Sequence, residues 1–195
     1  SVLTLHEHEG VMRSVQAIQS FAALCGAIII TFLQPQRDDI GAFVIGAYGL
    51  LAVSSIWAIS HIVTAAIQKK KRAYISNGII LLAFGAYIFM CVDHLRFHDN
   101  GLKAGNFSGN IIVSSWLLFG GVAVLAVALA HRKFPKLYKD NLITAFIFLV
   151  PAAVTIFVPG LDAVSIVGIL NASLIFTAVH LGIASASPAV PATKA

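Results

Sequence analysis

Residues 40–68 read IGAFVIGAYGLLAVSSIWAISHIVTAAIQ, and Lys69, Lys70, Lys71 and Arg72 follow at once. The stretch holds no Asp, Glu, Lys or Arg. At about 1.5 Å of rise per residue, such a helix crosses a hydrocarbon layer of about 30 Å with length to spare for tilt. The basic run behind it is the kind of sequence that stays in the cytoplasm when a helix inserts. This one segment therefore predicts the solvent of the fold, which is lipid, and an orientation within it.

The rest of the chain is of the same kind. Of 195 residues, 58% are hydrophobic and 11% are charged, whereas soluble domains carry roughly 25% charged residues. The expected fold is all-α: a polytopic membrane protein with six transmembrane helices arranged as three helical hairpins. The spans fall at about 14–33, 40–68, 74–92, 111–130, 142–158 and 163–184, within a single domain over 1–185. Residues 1–12 read as a polar or interfacial lead without signal-peptide features, and 186–195 as a mobile tail rich in Ala and Pro. Pro151, inside the fifth span, predicts a kink or an opening in its hydrogen-bond ladder. Pro159, Gly160 and Asp162 predict a turn before the sixth. No stretch remains for a water-soluble catalytic domain.

Six crossings put both termini on one face. That face would collect Arg13, Lys69, Lys70, Lys71, Arg72, Arg132, Lys133, Lys136, Lys139 and Lys194, while the other holds Arg37, Arg96 and Lys103 among Asp38, Asp39, Asp93, Asp99 and Asp162. Both termini are expected on the cytoplasmic side of a plasma membrane, or on the matrix side of an organelle inner membrane. The net charge of +5 is then a topology signal, and no nucleic-acid partner is expected.

Gly49, Leu51, Ser54 and His61 match Gly168, Leu170, Ser173 and His180 at one constant offset, a faint internal repeat. His131 ends the fourth span as His61 and His180 sit late in the second and sixth. Ser54, Trp57, His61 and Thr64 share one helix face by spacing, and Ser173, Thr177 and His180 share another. Two readings stand. In one, these residues line a pore or cavity mouth where imidazoles handle protons or solute. In the other they are interhelical or interfacial hydrogen-bonding groups, with His131, beside Arg132, simply solvated. Gln16 and Gln19 read as a wet first turn, and Asn171 as a buried amide in need of a partner.

Cys91, Asp93, His94 and His98 lie at the outer end of the third span. His94 and His98 share a face if the helix persists, a spacing that suits zinc or copper; the competing reading is a polar aqueous loop. Cys25 and Cys91, on different elements, suggest no disulfide framework. His6, Glu7, His8 and Glu9 read as a solvated terminus, and Asn106, Phe107, Ser108 matches the glycosylation pattern. Ala22 with Gly26, Ala42 with Gly46, Gly168 with Ala172, and Ala126 with Ala130 are small residues at the spacing that lets helices approach. Gly120 and Gly121 read as packing residues or as a soft point at a constriction.

The absence of a charge deep within any span argues against an ion-coupled pump, a voltage sensor or a Schiff-base lysine. In length, span count and basic linkers the chain resembles the acetate and succinate carriers of microbes, but the Asn-Pro-Ala-Pro-Leu-Gly-Leu signature of that family has no counterpart among residues 1–35, so no residue role transfers. The expected function is a channel or facilitative carrier for a small uncharged or weakly acidic solute, open to proton linkage, in a homo-oligomer and without a cofactor. The alternative is a non-catalytic subunit of a larger membrane complex. A third is a haem or metal oxidoreductase, with His61 paired to His180 or His131 as axial ligands.

Overall fold

Long runs of Ala, Leu, Ile and Val without charge have no water-facing side, so helices that satisfy their own backbone groups are the structure open to them in lipid. The computed structural model describes residues 2–32, 50, 52–60, 62–63 and 105–188. No strand occurs among them. The helices are α1 (Val2–Phe32), α2 (Gly105–Ala130), α3 (Pro135–Phe157) and α4 (Ala163–Ala186). Leu50, residues 52–60, Ile62 and Val63 are also helical, within the expected second span.

Four segments are long and apolar enough to cross a membrane: Gly10–Phe32, Val113–Ala130, Pro135–Phe157 and Val164–Ala186. These correspond to the first, fourth, fifth and sixth expected spans. The third, 74–92, lies outside the described residues. Three boundaries differ from expectation. Helix α1 takes in residues read as a polar lead, α2 begins at Gly105, ahead of the span expected from 111, and α3 begins at Pro135, so Lys136 and Lys139 are helical and not part of a linker. Proline suits a first helical position, because the N–H it lacks would have no partner there.

Helix α1 packs along α4, α2 packs along α3, and α3 touches α4 to join the two pairs. Side-chain bonds at both ends show that α1 and α4 are antiparallel. Arg13 Nε donates to Ser185 O at 2.8 Å, and Asn171 Nδ2 donates to Thr31 Oγ1 at 2.7 Å. A tight turn joins α2 to α3, where Phe134 N donates to His131 O at 3.0 Å. Between α3 and α4, Gly160 takes φ +77°, a left-handed conformation that glycine adopts without a Cβ clash, and Asp162 Oδ1 caps α4 by accepting from Ser165 N at 2.8 Å. The turn expected at Pro159 to Asp162 is present.

The starts of α1 and α3 and the ends of α2 and α4 thus share one end of the bundle. Arg13, Arg132, Lys133, Lys136 and Lys139 lie there, and it is called the basic end below. Large rings face outward elsewhere: Phe21 is 68% exposed, Phe157 80% and Phe176 65%. A surface this apolar is compatible with contact to a lipid bilayer. Inside, Phe148, Leu117, Ile166 and Leu174 are fully buried.

Small residues set how close the helices come. A Cβ on Gly26 would stand 2.9 Å from Val53 Cγ2, and one on Gly121 would stand 2.7 Å from Leu149 Cγ. The Ala22 and Gly26 pair is therefore an interface, as its spacing predicts, and Gly121 is a packing residue. Gly168 and Ala172 are exposed among the described residues.

Candidate functional site

The interior of the bundle carries a polar layer at the basic end and an aromatic layer at mid-depth. Both are built on one face of α3. Lys136, Asp140, Thr144 and Phe148 follow one another at the four-residue spacing that aligns side chains on a helix. Asp140, Thr144 and Phe148 are all buried.

Asp140 is the hub of the polar layer. Its Oδ2 accepts from Gln16 Nε2 of α1 at 2.9 Å and lies 3.7 Å from Lys136 Nζ. Its backbone oxygen accepts from Thr144 Oγ1 at 2.9 Å and bonds His180 Nε2 of α4 at 3.0 Å. A carbonyl only accepts, so His180 carries a proton on Nε2, and in the neutral ring Nδ1 is an acceptor. One residue of α3 thereby holds α1 and α4 in register.

The end of α4 is held by two cations from other helices. Lys136 Nζ donates to Ala184 O at 2.9 Å, and Arg13 donates from Nε to Ser185 O and from Nη2, at 3.4 Å, to Ala186 O. Carbonyls in the last turn of a helix have no intrahelical donor, and the helix dipole favours positive charge beside them.

Two readings of the sequence are corrected here. Gln16 and Gln19 are not a wet turn: both are buried, and Gln19 Nε2 donates to Ser60 Oγ at 2.9 Å. His131 is not solvated; it is 8% exposed, and its Nδ1 donates to Val127 O at 2.8 Å. Asp140, which the sequence reading passed over, is the buried centre of the layer. Once the helix starts at Pro135, four-residue spacing puts Lys136, Asp140 and Thr144 on one face, but spacing does not tell a buried face from a wet one.

In the aromatic layer Trp57, Trp116 and Phe148 meet edge to face. The Trp57 and Phe148 ring centres are 5.6 Å apart, and those of Trp116 and Phe148 are 5.1 Å apart. Trp116 Nε1 donates to Ser54 Oγ at 2.6 Å, and Ser54 Oγ donates to Leu50 O at 2.7 Å. Trp57 Nε1 and Thr177 Oγ1 are buried without a hydrogen-bond partner among the described residues. Ser173 has a structural task. Pro151 has no N–H to offer Ile147 O one turn earlier, and Ser173 Oγ donates to that oxygen at 3.1 Å.

Toward the other end, Ser114 Oγ donates to Thr155 Oγ1 at 2.9 Å, and Asn171 finds its partner in Thr31 while its Oδ1 has none among the described residues. Of the residues singled out in the sequence, Ser54, Trp57, Ser173 and Thr177 are brought into the bundle interior. His131 and His180 share the basic end but bond carbonyls of different helices. His61, Thr64, Cys91, Asp93, His94 and His98 lie outside the described residues. No group of three or more His, Cys, Asp or Glu gathers among the described residues. No family model, no curated protein and no solved structure matches the chain.

Proposed function

We propose that this chain is a small-solute channel or facilitative carrier for an uncharged polar solute, held closed at its aromatic layer. The observation that carries the reading is a pair of buried polar atoms without a partner among the described residues, Trp57 Nε1 and Thr177 Oγ1. A buried donor without a partner costs about 1–3 kcal/mol, so its retention in an apolar bundle calls for a visiting group that satisfies it. Trp57 supplies a donor and Thr177 both a donor and an acceptor, which suits a hydroxyl or amide solute better than an ion. Trp57, Trp116 and Phe148 are the barrier such a solute would have to pass.

In this reading the described helices belong to a six-span bundle completed by 40–68 and 74–92, with its basic end in the cytoplasm. Vesicles of the purified protein, shrunk osmotically by urea, glycerol or acetate, test it. Recovery of volume is expected to be faster than in protein-free vesicles, faster again with Phe148→Ala, and slower with Thr177→Val, which removes the hydroxyl at nearly constant volume. Equal rates in protein-free, native and Phe148→Ala vesicles for all three solutes would overturn it.

A further inference from the structure

Gln16 and Asp140 pose a problem of hydrogen-bond accounting. Both are at least nine-tenths buried, Gln16 at 4% and Asp140 at 8% exposure. The amide nitrogen is used, since Gln16 Nε2 donates to Asp140 Oδ2 at 2.9 Å. The amide oxygen is not: Gln16 Oε1 has no partner among the described residues. An ionised carboxylate has only acceptors, so it satisfies the amide nitrogen and can do nothing for the amide oxygen beside it.

A protonated carboxyl does both. With a proton on Oδ1, the acid donates to Gln16 Oε1 while Oδ2 continues to accept from Nε2, and the two groups close a ring of two hydrogen bonds. We infer that Asp140 and Gln16 form a proton-binding site at the basic end, in which a proton taken from the aqueous phase by Asp140 Oδ1 is held by the amide oxygen of Gln16. Lys136, 3.7 Å from Oδ2, loses its ionic partner when the carboxyl is neutral but keeps its bond to Ala184 O.

Among the described residues, the other ionisable groups near Asp140 have these partners. From α1, Arg13 is engaged with the end of α4; from α4, His180 bonds the backbone oxygen of Asp140 and not its carboxyl. From the end of α2, His131 bonds Val127 O. On α3 itself, Lys139 is exposed. Gln16 is thus the group that distinguishes the two states of the carboxyl, and since it lies on α1, the proton adds a second bond between α1 and α3. The inference does not require transport, because proton binding is read without any flux.

Infrared difference spectra of the full-length protein in lipid, recorded on acidification, test it. In the difference between native and Asp140→Asn spectra, which cancels the other acids of the chain, a carboxylic acid carbonyl band is expected, and it moves to lower frequency when aspartate is labelled with carbon-13 at the carboxyl. In a Gln16→Leu background the same difference is expected to hold the band at higher frequency, as for a carbonyl that has lost its donor. Should Asp140→Asn fail to accumulate, the difference between native and Asp140→Glu is expected to hold the same aspartate-labelled band. A difference without a labelled band, or a band whose frequency ignores Gln16→Leu, would overturn the inference.

Discussion

Asp140 and Phe148 lie on one face of α3, about 12 Å apart along its axis, yet they hold the bundle together by opposite means. Around Asp140 the contacts are directed: an amide, an ammonium and an imidazole each meet a particular oxygen. Around Phe148 they are contacts of shape, with two indoles set nearly perpendicular to one phenyl ring. In lipid the hydrophobic effect does not draw helices together, so association rests on packing and on bonds between helices. The polar layer selects register, since a slide of one residue would unmake it, and the aromatic layer supplies contact area.

Phe148→Ala is expected to have the largest effect, about 3 kcal/mol of lost stability, because it leaves a cavity beside both indoles. Reversible unfolding in mixed micelles measures it. A loss below that of Asp140→Ala would break the division of labour just drawn. For Asp140→Ala the expected loss is about 2 kcal/mol, as Gln16 and Lys136 lose their shared acceptor, and Asp140→Asn is expected to recover most of it by bonding the amide.

A finer comparison joins the two layers to the proline. Ser173→Ala is expected to cost about 1 kcal/mol, and almost nothing in a Pro151→Ala background, where a restored N–H reaches Ile147 O. Equal losses in both backgrounds would show that Ser173 does not serve the gap left by Pro151. The smallest effect is expected for Arg13→Ala, about 0.5 kcal/mol, measured by faster amide exchange in the last turn of α4.

Hydropathy made legible the four described helices that are long and apolar enough to cross a membrane, because an apolar run of this length has few other uses. The tight Pro159 to Asp162 turn was equally legible from residue type. The polar layer was not, for a physical reason. Lys136 and Asp140 sit near the start of α3, and Gln16 near the start of the apolar part of α1, where a polar residue is as well served by water as by a neighbouring helix, and sequence spacing does not distinguish the two. His131 was misjudged for the same reason, with Arg132 beside it. The repeat that relates Ser54 to Ser173 does not extend to their bonds: Ser54 serves its own helix and Trp116, and Ser173 serves α3.

The two cations at the end of α4 also bear on how the protein is made. Arg13 and Lys136 belong to helices translated before α4, so its last carbonyls meet donors already in place when that helix leaves the ribosome. Docking of α4 would then close a latch, and a nascent chain halted before Ser185 should hold α4 loosely against its neighbours.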